Sequence, residues 1–194
     1  MKTTHHNLLE GDLVRLVAID TETFATRFSQ WSRDSEYDRL LNSGIAYPYS
    51  ARGTKAFIDR QVEKESPDNF WFAIQAIEDA RPIGDVGLDG IRWNHGDCFV
   101  GIGLGEREYW SKGYGSDAMR VILRYAFTEL NLERVSLNVF AYNARAIRSY
   151  EKVGFIHEGS MRQYLNRDSQ RWDILYMGIL RQEWEALYTR KTHA

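Results

Sequence analysis

Two short stretches of this chain combine residue types that can do chemistry. The first, Tyr109-Trp110-Ser111-Lys112-Gly113-Tyr114-Gly115-Ser116, sets two glycines one residue apart just ahead of an amphipathic run from Asp117 to Leu130. A glycine-bearing turn that feeds a helix leaves main-chain N–H groups unpaired, and the helix dipole adds partial positive charge at the same end. Such a turn can cradle a phosphate. Its spacing excludes two other phosphate motifs. A P-loop needs a lysine after its second glycine, whereas Lys112 precedes both, and a dinucleotide fingerprint wants a third glycine where Ala118 stands. A plain strand-to-helix connection is the alternative use of the same residues.

The second stretch is Asn143-Ala144-Arg145-Ala146-Ile147-Arg148-Ser149-Tyr150-Glu151-Lys152-Val153-Gly154-Phe155. It reads as a short helix with Asn143 as N-cap and Gly154 just past its end. Ala146 and Tyr150 lie one turn apart and share a face that Val153 continues. A tyrosine hydroxyl, with an ordinary pKa of about 10, can donate a proton to a leaving group of similar basicity. Packed in a core, the same ring would serve only as an aromatic.

These residues need particular elements to position them. Met119, Ile122, Leu123, Ala126, Phe127 and Leu130 recur at helical spacing and predict one buried stripe. Cys98 to Leu104 is a short apolar run that reads as a buried strand, and Arg134 to Phe140 alternates as a half-buried one. Further strands are expected at Gly11–Val17, Phe70–Ile77, Ile83–Ile91, Ile156–Leu165 and Trp172–Leu180. Helices are expected from Asp20 to about Ser32 and from Thr54 to Glu65, the latter carrying Ala56, Phe57, Ile58 and Val62. Residues 34–50 read as a loop or irregular helices, and 181–194 as a short helix with a frayed tail. The order βααβββαβαββ fits a mixed α/β fold, one sheet with helices on both faces. No repeat, linker or low-complexity segment divides the chain, so residues 1–194 are expected to form one domain.

Taken together, the two stretches resemble the acyl-CoA core of the GNAT superfamily of N-acetyltransferases, with a likeness to its ribosomal-protein alanine and spermidine acetyltransferase branches. The superfamily's first motif is Gln/Arg-x-x-Gly-x-Gly/Ala after a strand, matched here at Gly113 and Gly115. Its second is Asn-x-x-Ala-x-x-x-Tyr-x-x-x-Gly-Phe, matched at Asn143, Ala146, Tyr150, Gly154 and Phe155. Trp110 departs from the pattern, standing where Gln or Arg is usual, yet any residue but proline supplies an N–H there.

The resemblance implies a mostly antiparallel sheet of six to seven strands whose two central strands splay to admit acetyl-CoA as co-substrate. It places the pyrophosphate on main-chain N–H groups of Trp110, Ser111, Lys112, Gly113, Tyr114, Gly115 and Ser116, with a hydroxyl from Ser116. The strand edge at Ile102, Gly103, Leu104 and Gly105 would pair with the peptide-like pantetheine arm and polarise the thioester carbonyl. Asn143 would hold the arm from the other side, and Tyr150 would protonate the departing thiolate. A primary amine, on a protein N-terminus or a small molecule, is the expected acceptor. Glu36, Asp89 and Trp172 are the candidate substrate contacts. The glutamate that many relatives carry in the central strand is replaced here by Phe99, Val100, Gly101 and Ile102. Asp85, Asp89 and Glu36 can each be considered as a base, and none is assigned. Trp31, Tyr47, Tyr49, Trp93, Tyr164, Trp172 and Tyr176 are expected to rim an acceptor cleft. A non-catalytic acyl-CoA binder is the rival reading; it would not need Tyr150.

Composition sets the outer bounds. With 194 residues and 43% apolar content the chain can bury a sizeable core. A formal charge of -2 gives no basic stripe for nucleic acid. The single cysteine, Cys98, allows no internal disulfide and lies in an apolar run, where a buried inert thiol is expected. Neither a membrane span nor a signal-peptide core is evident, and no His, Cys, Asp and Glu spacing suggests a metal. The expectation is a cytoplasmic enzyme whose partners are acetyl-CoA and an amine, with homodimerisation left open.

Overall fold

The computed structural model of the chain describes residues 7–62 and 67–188. Its strands are β1 (Val14–Val17), β2 (Phe70–Ala76), β3 (Pro82–Arg92), β4 (Asp97–Leu104), β5 (Arg134–Phe140), β6 (Ile156–Arg167) and β7 (Gln170–Leu180). They form one 7-stranded sheet in the order β1-β2-β3-β4-β5-β7-β6. The β4/β5 pair is parallel and the other neighbours are antiparallel. Helices α1 (Thr21–Trp31), α2 (Ser35–Leu41), α3 (Ala51–Val62), α4 (Tyr114–Arg124), α5 (Ala144–Val153) and α6 (Arg181–Tyr188) complete the fold.

Strand alternation separates two cores. Ile74, Val86, Leu88, Cys98, Val100, Val135, Leu137 and Met177 face one side and pack against Met119, Ile122 and Leu123 of α4, Phe127 just after it, and Val153 of α5. Full burial of each large apolar side chain is worth about 1.5–3 kcal/mol, so the α4 stripe alone fixes that helix to the sheet. On the opposite face Ala73 packs with Phe24, Trp31, Tyr37 and Ile58, from α1, α2 and α3. Asp117, in the first turn of α4, accepts hydrogen bonds from the main-chain N–H groups of Leu13 at 2.8 Å and Val14 at 3.1 Å. The start of α4 is thereby tied to the first strand.

The sheet opens in its middle. β4 and β5 pair from Asp97/Arg134 to Phe99/Ser136 and then diverge, while β4 stays paired with β3 as far as Leu104. The splay implied by the family resemblance is therefore present, and it leaves one edge of β4 unpaired over residues 100–104.

Several boundaries differ from those read off the sequence, each for a physical reason. α4 begins at Tyr114, because Gly113 takes φ 98 as its N-cap and lets the helix start within the glycine turn. Its last turn widens into a π-turn at Tyr125–Glu129. There the Thr128 hydroxyl donates to the Arg124 carbonyl at 2.7 Å, and Leu130 N–H reaches back to the Tyr125 carbonyl at 3.2 Å. Within residues 34–50, α2 is a regular helix because Asp34 caps it, accepting from the N–H groups of Glu36 and Tyr37. The second expected helix runs Ala51–Val62; its reading onward to Glu65, like that of the first six and last six residues, falls outside the described residues. Phe57 on that helix is exposed rather than buried. β6 and β7 are longer than read, since Asp168 and Ser169 turn the chain alone, both with positive φ.

Candidate active site

A cavity of about 600 Å³ occupies the opening between β4 and β5. Of the residues singled out in the sequence, Ile102, Gly103, Leu104, Trp110, Ser111, Gly113, Gly115, Ser116, Asn143, Tyr150 and Asp89 line it. Gly105, Lys112, Tyr114, Glu36 and Trp172 do not. The lining brings together residues from β3, β4, the 110–116 turn, α4 and α5.

One wall is made by main chain. Asp117 N–H donates to the Gly113 carbonyl at 2.9 Å, which begins the helical ladder. Among the described residues, nothing accepts a hydrogen bond from the N–H groups of Ser111 to Ser116. Ser111 and Gly113 both have positive φ, at 60 and 98, a pattern that turns successive N–H groups toward a common centre. These donors, with the dipole of α4 behind them, suit a diphosphate. Trp110 does not add a main-chain donor, because its N–H is used on the Arg107 carbonyl at 3.0 Å. Tyr114 turns away: it is buried, edge-on to Tyr109 at 4.9 Å, and its hydroxyl donates to Glu78 at 2.8 Å. The side chain of Ser116 is already engaged with the Ser149 hydroxyl at 2.8 Å, which couples α4 to α5.

The unpaired edge of β4 supplies a second set of main-chain groups. Gly105 N–H donates to the Ile83 carbonyl at 2.9 Å, and antiparallel alternation then directs Gly103 toward β3 and Ile102 and Leu104 toward the cleft. Of the four edge residues expected from sequence, Ile102 and Leu104 therefore offer N–H groups to a bound arm, and Gly103 and Gly105 do not. The Leu104 carbonyl accepts from Trp110 Nε1 at 2.7 Å. Gly105 has a packing role: a Cβ there would lie 1.9 Å from Cδ2 of Trp31.

The facing wall is α5. Asn143 caps it, its side-chain oxygen accepting from Ala146 N–H at 3.2 Å, which leaves the side-chain NH₂ as the cavity-facing donor. Tyr150 is 9% exposed and lines the cavity, and its hydroxyl has no hydrogen-bond partner among the described residues. Burial pushes the Tyr150 phenol up to about 12. It is therefore protonated throughout the neutral range.

Sequence reasoning missed the cations on this wall. Arg145 sits over the Trp110 indole, 3.6 Å from guanidinium carbon to ring centroid, with Arg107 at 4.7 Å on the same ring. Arg145, Arg148 and Lys152 all line the cavity. Helical spacing within the second motif held the signal, since Arg148 and Lys152 are one turn apart. Trp110, the departure from the first motif, thus carries an arginine from the second.

The far end of the cavity is lined by Tyr37, Leu40, Leu41, Phe99 and Phe140, with Asp89 at the surface. Tyr37, Leu40 and Leu41 went unnoticed because α2 carries no motif. Glu36 is held by Arg107, at 2.6 Å, beside the Arg107–Asp34 pair. Trp172 packs edge-on against Tyr142 at 5.4 Å in a separate small core. None of the seven aromatics expected to rim an acceptor cleft lines the cavity. Trp31 is core, Tyr49 donates to Asp38 at 3.0 Å, and Trp93, Tyr47 and Tyr164 are exposed. Cys98 is buried, and burial pushes its thiol up to about 12. Among the described residues, no group of three His, Cys, Asp or Glu is placed to hold a metal, and no helix is long and apolar enough to cross a membrane.

Free main-chain N–H groups at a helix start, beside a strand edge freed by splaying, suit an acyl-CoA. Residues 13–156 match the acetyltransferase (GNAT) domain family. The chain is 29% identical over 154 residues to the SPbeta prophage-derived uncharacterized N-acetyltransferase YokL of Bacillus subtilis, spanning 79% of this chain and 84% of that one. It is 31% identical over 110 residues to the spermidine N(1)-acetyltransferase of Vibrio cholerae, 56% of this chain and 63% of the relative. Among solved structures, spermidine N-acetyltransferase from Vibrio cholerae in complex with CoA and spermine superposes with a TM-score of 0.77 at 21% identity, covering 88% of this chain and 97% of that one. The chain belongs to the GNAT acetyltransferase family and is an acetyl-CoA-dependent N-acetyltransferase of an amine.

Proposed function

We propose that the chain works as a single cytoplasmic catalytic domain that passes the acetyl group directly from acetyl-CoA to a singly charged primary amine on an apolar body, such as a peptide N-terminus. The observation that carries this reading is the Tyr150 hydroxyl, unpartnered and facing the cavity between the amide cradle and the β4 edge. In it, the N–H groups of residues 111–116 bind the pyrophosphate, with Arg148 and Lys152 adding charge. Ile102 and Leu104 pair with the pantetheine arm, and Ile102 N–H polarises the thioester carbonyl. Attack by the neutral amine expels the thiolate, and Tyr150 protonates it. A phenol held near 12 keeps its proton until a thiolate forms in the same dry pocket, where burial disfavours that charge as well.

Asp89 is the one carboxylate among the cavity-lining residues, and its neighbours there are Tyr37, Leu40, Leu41, Phe99 and Phe140. That supports one cationic nitrogen attached to an apolar group over a polyamine, which would call for several carboxylates. The exposed β6 edge, with Ile156, Met161 and Tyr164 at the surface, supports pairing of two copies there. Free thiol released from acetyl-CoA, measured across a panel of peptides and small amines, tests the reading. Turnover should be highest with apolar N-terminal peptides or monoamines. Turnover confined to spermidine and spermine would overturn the acceptor class, and no turnover with any amine would favour a non-catalytic binder.

A further inference from the structure

β3 and β4 form a trough on the face opposite α4. Asp85, Gly87 and Asp89 alternate onto that face of β3, and they stand opposite Gly103, Gly101 and Phe99 of β4. The glycines leave its floor without side chains; a Cβ on Gly101 would meet nothing within 4 Å. A Cβ on Gly103 would lie 3.1 Å from the Tyr37 hydroxyl oxygen and 3.2 Å from Asp85 Oδ1. Two oxygens from different elements therefore converge on the space above Gly103, next to Ile102. Tyr37 is 3% exposed and lines the cavity, and its hydroxyl has no hydrogen-bond partner. Asp85 uses Oδ2 to accept from Trp71 Nε1 at 3.0 Å, which leaves Oδ1 directed to Gly103.

We infer that Asp85, reached through the Tyr37 hydroxyl, takes the proton from the acceptor ammonium, and that Asp89, at the outer end of the same trough roughly 13 Å along the strand, draws that ammonium in before it moves inward to Tyr37. The inference rests on the acetyltransferase mechanism proposed above. The ammonium gives a proton to the Tyr37 oxygen as Tyr37 passes its own, through one bridging water, to Asp85 Oδ1. The freed lone pair attacks the thioester carbon, the C–N bond forms, and collapse breaks the C–S bond. Tyr150 protonates the thiolate, and the second N–H proton, lost as the amide forms, restores the Tyr150 phenol. Asp85 then returns its proton to solvent, so one proton is released per turnover. Burial pushes the Asp85 carboxyl up to about 6, which leaves it ionised at neutral pH and more basic than an exposed aspartate. Tyr37 is the titratable group that faces Asp85, and Asp38 of α2 and Tyr49 face Tyr37 in turn; Asp38 already accepts from Asn42 and Tyr49.

The test is the pH profile of kcat for the full chain with the best amine from the panel, for wild type, Asp85→Asn, Tyr37→Phe and Asp89→Asn. Wild type should show an acid limb with a midpoint near 6. Asp85→Asn should lose that limb and drop kcat on the order of 100-fold. Tyr37→Phe should lower kcat about tenfold or more, and Asp89→Asn should act mainly through a raised KM for the amine. CoA should raise the melting temperature of all four alike, which shows each folded and loaded. An Asp85→Asn enzyme that keeps its acid limb and wild-type kcat overturns the inference alone. A wild type silent on every amine overturns the acetyltransferase mechanism and this inference with it.

Discussion

The two ends of the cavity are built from different materials. At the end proposed for the cofactor the available groups are main-chain N–H groups of residues 111–116 and of Ile102 and Leu104, placed by a glycine turn and by the splay of one strand pair. At the end proposed for the acceptor they are side chains of Tyr37, Asp89 and Phe99, from α2, β3 and β4, with Asp85 beside Gly103 next to the cavity. A cradle of amides depends on backbone conformation and tolerates many side chains. A trough of carboxylates and aromatics depends on each side chain and on strand register. The first suits a co-substrate shared by a whole family, and the second suits an acceptor that differs from member to member.

Mutations can break or sharpen that contrast. Tyr150→Phe removes the hydroxyl and keeps the ring against Phe155. Thiol-release assays should show kcat lowered about 100- to 1,000-fold, with the melting temperature nearly unchanged. At the cradle, Gly113→Ala forces a Cβ onto φ 98, at about 1–2 kcal/mol, and should weaken CoA binding roughly tenfold by calorimetry. Lys112→Ala, a few atoms away and exposed, should change CoA affinity less than about threefold. If Lys112→Ala proved the more damaging of the two, the cradle would rest on side-chain charge and the contrast would fail.

A smaller effect separates function from stability at the acceptor end. Because burial raises the Asp85 carboxyl to about 6, its ionisation is disfavoured in the folded chain relative to the unfolded one. The stability it contributes is complete below the unfolded pKa of about 4 and lost as pH rises through 6. Asp85→Asn should therefore be more stable than wild type above pH 7, by about 3 kcal/mol, and match it near pH 4. A stabilised but slowed enzyme is the expected signature of a strained functional carboxylate. Smallest of all, Cys98 should resist alkylation in the native protein at pH 8, since burial holds its thiol near 12.

The same division explains what the sequence disclosed. Gly113, Gly115, Asn143 and Tyr150 lie in two contiguous segments whose meaning is local: a turn, a cap, a helix face. The strand-and-helix order and the α4 stripe were readable from periodicity for the same reason. Glu36 and Trp172 lie outside the cavity lining because their partners, Arg107 and Tyr142, are set by tertiary packing. Edge residues 102–105 could be named from sequence, but which of them face the cleft follows from the Gly105–Ile83 hydrogen bond. Tyr37 and Asp85 meet only through the β3/β4 register and the docking of α2. Arg145 sat in plain view within a motif, and only the folded chain lays it on Trp110.

The most direct measurement is a crystal structure of the chain with coenzyme A. The account requires the diphosphate within hydrogen-bond distance of the N–H groups of residues 111–116, the pantetheine amides along Ile102 and Leu104, and the sulfur beside the Tyr150 hydroxyl. A diphosphate bound away from the 111–116 turn, or a sulfur out of reach of Tyr150, would contradict it.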